Sequence, residues 1–195
     1  MKRLASFLPA VIVLIAACNN NKTKDSSGVN SKEQVTIDPK MQNAILDMEK
    51  QKAELEKLTP LTTEELKKMI PETLMGAART NDEANSAMGA TFARGDYKLN
   101  DSTAIKLNIY DCAGSGGAGI YSLQYLGMMN VQQDSDEEYT KTIDFKGGKA
   151  FEHCDKTSND CTFTWFAGGR FLVTLEGDNV SADTLKQAAR GLDIK

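Results

Sequence analysis

Hydrophobic positions along this chain change their spacing three times. An apolar run from Leu8 to Ala17 comes first, followed over residues 19–35 by a stretch rich in Asn, Ser and Lys. Apolar residues then return at helical spacing as Met41, Ile45, Met48, Leu55 and Leu58. Asp38-Pro39 supplies an N-cap and a first helical position, which predicts a helix to about Leu58 with Lys50–Glu54 and Lys52–Glu56 pairs at i,i+4. Its stripe is thin and interrupted by Lys52, so it reads as a solvated helix lying across a domain or standing as a stalk. It spans too few heptads for a coiled-coil seam. Pro60 ends this segment, and Thr62-Thr63-Glu64-Glu65 has capping-box spacing, opening a short helix to about Ile70 ahead of Pro71.

Beyond Pro71 the period becomes two. A strand interrupted by Gly and Ala is expected over 86–98, and a clearer one over 104–111, where Ile105, Leu107 and Ile109 share a face. A Gly-rich turn leads into a helix from about Ala118 to Asn130. After the acidic loop Asp134–Glu138, strands are expected near 139–145, 149–154, 161–166 and 170–176, and their short turns force antiparallel pairing. Ser181 caps a closing helix over about 181–192, with Leu185, Ala188, Ala189 and Leu192 on one side. The expectation is an α+β domain with an antiparallel sheet of about six strands and helices packed on one face. It divides the chain into 1–17, 18–35, a charged helix at 36–59 and a globular region at 60–195.

The first segment has a sorting signal's layout. Lys2 and Arg3 precede a short apolar run that ends Ile15-Ala16-Ala17-Cys18. The run is about half the ~20 residues a spanning helix needs. A cysteine directly after a small pair resembles a bacterial lipoprotein signal, in which Cys18 is acylated and residues 1–17 are removed. The membrane is then the first partner, reached through lipid on Cys18, and 18–35 is a disordered tether. Loss of Lys2 and Arg3 with the signal moves the net charge from −4 to −6. Such a balance, with no basic cluster, excludes nucleic acid as a natural partner.

An exported chain works where disulfides persist. Cys154 and Cys161 flank six residues between two expected strands, so a hairpin brings them opposite one another as a disulfide. The alternative joins Cys112, His153, Cys154 and Cys161 in a metal site or thiol enzyme, with Asp111 orienting the histidine. Adjacent strand residues point to opposite faces, which sets His153 against Cys154 in that arrangement. Gly114, Gly116, Gly117 and Gly119 formally match a dinucleotide fingerprint, but the second parallel strand with its acidic end is missing. What remains is a possible anion-binding loop at a helix start. The aromatics Phe163, Trp165, Phe166 and Phe171 are expected mostly in the core. No catalytic, metal-ligating or cofactor-binding residue is assigned. The function expected is non-enzymatic binding of an envelope protein or small ligand.

From about Leu66 to Asp193 the chain resembles a group of uncharacterised bacterial envelope lipoproteins. The landmarks are Leu66 through Pro71-Glu72-Thr73-Leu74-Met75-Gly76, Tyr97, Ile109-Tyr110-Asp111, Gly147-Gly148-Lys149-Ala150, Arg170 through Gly177, and Leu185 to Leu192-Asp193. They mark turns and strand faces, and the group has no established activity, so the resemblance carries over no functional residue. Cys154 and Cys161 fall outside its pattern. The Asn-rich tether resembles lipoproteins of Bacteroidetes-type bacteria. Asn19 after the cysteine looks like an outer-membrane signal under the enterobacterial rule.

Overall fold

The computed structural model describes residues 39–129 and 131–195. The expectations for the signal, Cys18, the tether and the Asp38 cap lie outside the described residues. Helix α1 spans Pro39–Glu56 and buries only Met48 and Leu55 of its stripe, as its charged sequence dictates. Lys52–Glu56 forms at 3.8 Å, while Glu54 turns to Lys57 at 2.8 Å. Helix α2, Thr63–Lys67, begins with the expected capping box between Thr62 and Glu65. It is shorter than its sequence suggested.

Nine strands follow, not six. They are β1 Thr73–Leu74, β2 Ala77–Ala87, β3 Ala90–Asn100, β4 Thr103–Asp111, β5 Gln132–Asp134, β6 Glu138–Phe145, β7 Gly148–Asp155, β8 Asp160–Ala167 and β9 Phe171–Asp178. Helix α3, Gly114–Met128, connects β4 to β5, and α4, Ala182–Gly191, closes the chain with Ser181 as N-cap. All strands pair antiparallel in the order β1-β2-β3-β4-β9-β8-β7-β6-β5. Two meanders thus meet where β9 pairs β4, with α3 as the link between them.

The strand expected at 86–98 is replaced by a hairpin. Ala87 pairs with Ala90 across Met88 and Gly89, whose φ angles are 54° and 76°. Met75-Gly76 and Lys146-Gly147 repeat this turn with φ of 52° and 83°, and 48° and 80°. Two central residues at positive φ give the turn that suits strand twist, and glycine supplies the second of them without a Cβ clash.

Helices cover both faces of the sheet, which corrects the one-face expectation. Strand alternation separates two apolar clusters. Ile105, Leu107, Ile109, Phe163, Trp165, Val173 and Leu175 join Leu66 and α4's Leu185, Ala188 and Ala189 in the larger one. Leu172 faces the other way and joins Met48, Leu55, Cys112, Ala118 and Tyr121, with Tyr110 and Phe166 packed against them. The arrangement follows from β4, β8 and β9 carrying apolar residues on both sides, so a sheet buried on one face alone would leave Leu172 and Phe166 wet.

Candidate functional site: an apolar cavity between two helices and the sheet

On this second face a cavity of about 300 Å³ lies between α1, α3 and the sheet. Tyr121, Tyr125 and Met128 line it from α3, spaced at i, i+4 and i+7 along one side of the helix. Phe166 and Leu172 form its floor, Ala44 closes it from α1, and Gly148, Lys149 and Met129 complete the wall. The Tyr121 ring rests on Phe166 with centroids 4.7 Å apart and meets Tyr125 at 5.6 Å. Burial pushes both phenols above their ordinary ionisation range, reinforced at each by Asp47, so they stay neutral. Lys149 is the one charged residue in the lining, and its ammonium is paired outward with Asp144 at 2.6 Å. A concave, mostly apolar site with two phenols holds an apolar small molecule or chain segment better than a charged one.

The glycines of the expected anion loop sit inside α3. A Cβ on Gly116 would strike the Met88 carbonyl, and one on Gly117 would meet the Asp111 carbonyl at 2.5 Å. These two are needed for close packing of α3 on the β2–β3 turn and the end of β4. Gly114, at φ 72°, starts the helix, and Gly119 faces open space. The anion beside this helix start is the protein's own. Asp111 accepts from the Ala113 N–H at 3.1 Å, the Leu61 N–H at 2.7 Å, and Arg170 Nε and Nη2 at 2.8 and 2.9 Å. Burial would raise its carboxyl, but Arg170 and the two amides hold it below the usual range. Arg170 also donates to the Thr59 carbonyl, fastening the α1–α2 connection to the ends of β4 and β9.

Asp111 therefore does not orient His153. The His153 Nδ1 lies 2.9 Å from Thr140 Oγ1, and Nε2 is 4.0 Å from Glu138. Cys112 is buried in the second cluster, where burial pushes its thiol up to about 12. Cys154 and Cys161 are directly paired across β7 and β8 at disulfide distance, with Cα atoms 4.1 Å apart. Among the described residues, no three His, Cys, Asp or Glu side chains gather to hold a metal ion.

Sequence reasoning missed a charged cluster next to that cysteine pair. Glu152 is fully buried on the larger core's face. The Tyr139 hydroxyl donates to its Oε1 at 2.6 Å, and Lys141 Nζ lies 3.0 Å away. Its Oε2 meets Lys186 Nζ at 3.2 Å without a well-aligned hydrogen bond. Burial works to raise this carboxyl, yet the pull of Tyr139, Lys141 and Lys186 leaves it below the usual range. Lys186 bonds in turn to Asp183 at 2.7 Å, so α4 is tied to β6 and β7 through charge. A Glu in β7 two residues from both Ala150 and Cys154, and so on their face, was the available signal. The missing knowledge was which lysines face it.

Comparison with family models, with curated proteins and with solved structures returns no match. No described helix is long and apolar enough to cross a membrane.

Proposed function

We propose that this protein is a lipid-anchored component of the cell envelope, held at the outer membrane through acylated Cys18, whose folded domain binds an apolar ligand without catalysing a reaction. The observation that carries the binding half is the cavity beneath α1 and α3, with its aromatic and aliphatic lining. At about 300 Å³ it falls at the lower end of ligand-pocket volumes, enough for part of a lipid chain or a small aromatic molecule. The anchoring half rests on Lys2, Arg3, the short apolar run and Ala16-Ala17-Cys18. A Cys154–Cys161 disulfide suits that compartment. The thiol or metal alternative gains no support from a buried, protonated Cys112 or from a His153 occupied by Thr140.

Two readouts test the halves separately. The protein isolated from cells should carry acyl mass on Cys18, and Cys18→Ala should move to the soluble fraction while still folded. Native mass spectrometry should show an apolar molecule released by organic solvent. Ala44→Phe, which fills the cavity from α1, should lose that molecule. Membrane retention of the Cys18→Ala protein would refute anchoring, and ligand occupancy unchanged by Ala44→Phe would refute the assigned cavity.

A further inference from the structure

Helix α3 is uncharged throughout, and no Asp, Glu, Lys or Arg occurs between Asp111 and Asp134. Its inner side is accounted for by Ala118 and Tyr121 in the second core cluster. Its outer side exposes Leu123 at 74% and Leu126 at 49%, where a solvent-facing helix ordinarily carries charge. Helix α1 runs antiparallel beside it: Leu58 and Pro60 lie at Gly114, while Ala44 shares the cavity wall with Met128 and Met129. The first turn of α1, with Met41 exposed at 49%, therefore lies at the same end as Leu126.

We propose that Leu123 and Leu126, with Met41 at the same end of the helix pair, dock into the apolar zone of the bilayer that carries the protein's own anchor. This rests on the anchoring reading above. The chain leading from Cys18 joins the fold at Pro39, at that same end of the α1–α3 pair. The intervening residues 19–38 reach at most about 70 Å when extended, so a Cys18 held in a leaflet keeps this face at high local concentration over lipid. No charged side chain of α3 has to be stripped of water as the helix enters, and burial of a charge is the main barrier to such entry. Docking is thus by insertion, indifferent to salt and to anionic lipid. It also sets the α1–α3 cavity close to the membrane, where its ligand would be an acyl chain.

The test supplies the tether chemically. Chain 18–195, produced without acylation, is coupled through the Cys18 thiol to a maleimide phospholipid in phosphatidylcholine vesicles containing a diazirine-labelled acyl chain. Irradiation and peptide mapping then report which residues touch the hydrocarbon. Adducts are expected on the peptides holding Leu123, Leu126 and Met41, roughly tenfold above those on β6–β8, at low and high salt alike. Leu123→Glu with Leu126→Glu should remove them, as should the milder Leu→Ser pair, with circular dichroism unchanged. Evenly spread adducts, or an unlabelled α3, would overturn the proposal. So would a dimer in vesicle-free solution that the same substitutions dissolve, which would make this a face between copies. Because coupling replaces acylation, failure here leaves the anchoring reading standing, and an unacylated Cys18 in cells would fail that reading alone.

Discussion

The two faces of the sheet are filled in different ways. On one, the rings of Phe145, Phe163 and Trp165 pack with centroids 4.9 to 5.7 Å apart, Phe145 edge-on to the other two, and the polar cluster around Glu152 closes against α4. On the other, Leu172, Phe166 and Tyr121 meet two helices that leave a cavity between them, with only one charged residue in its wall. Dense aromatic packing plus a buried carboxylate paired with two lysines specifies a single structure. A cavity of this size sacrifices contacts that the same residues would otherwise make, and natural sequences retain such space where something enters it. The first face is thus read as what holds the fold together and the second as what the fold presents.

That contrast is broken most directly by truncating one residue on each side. Trp165→Ala, which removes a fully packed ring, should lower stability by about 3–5 kcal/mol in denaturant unfolding. Leu172→Ala should cost about 2 kcal/mol, the low end for such a change, because one side of Leu172 already faces empty space. Equal losses would mean that the cavity is closed by packing in solution. Glu152→Gln should cost about 1–3 kcal/mol near neutral pH, since it leaves Lys186 and Lys141 without their shared counter-charge.

The same carboxylate sets a pH dependence. Glu152 and Asp111 are both held below their ordinary values. A lowered carboxyl contributes stability that is present above the unfolded value, about 4, and is lost as pH falls through the folded one. Midpoints in urea should therefore be flat above pH 5 and fall below about pH 4. Glu152→Gln should shallow that fall, while Tyr121→Phe on the second face should leave its shape unchanged. The smallest effect belongs to a turn. Met88 is 98% exposed at a φ of 54°, so Met88→Asn should raise stability by about 0.5–1 kcal/mol, because Asn tolerates this conformation better.

Much of the second meander was legible in the chain because Phe163 and Trp165, and Val173 and Leu175, recur at two-residue spacing between recognisable turns. The first meander was not. Strand β2 reads Ala-Ala-Arg-Thr-Asn-Asp-Glu-Ala-Asn-Ser-Ala, has no buried residue, and exists because β3 pairs with it along its length. Its turn uses Met-Gly, a weak signal beside Asn-Gly. β1 and β5 have two and three residues, too short for any periodicity. The glycines at 116 and 117 read locally as a ligand loop, although the backbones they admit come from Met88 and Asp111. The cavity was invisible for a similar reason. Ala44, Tyr121, Phe166 and Leu172 come from four elements, and only the β4–α3–β5 crossover sets them together.

The central claim is that the α1–α3 cavity is a binding site, and a fluorescence titration with N-phenyl-1-naphthylamine measures it most directly. One saturable site per chain is predicted, competed by a medium-chain fatty acid. Ala44→Phe should weaken the site at least about tenfold, an effect equivalent to ~1.4 kcal/mol, with the unfolding midpoint unchanged. Absence of saturable binding, or binding that Ala44→Phe leaves untouched, would contradict it.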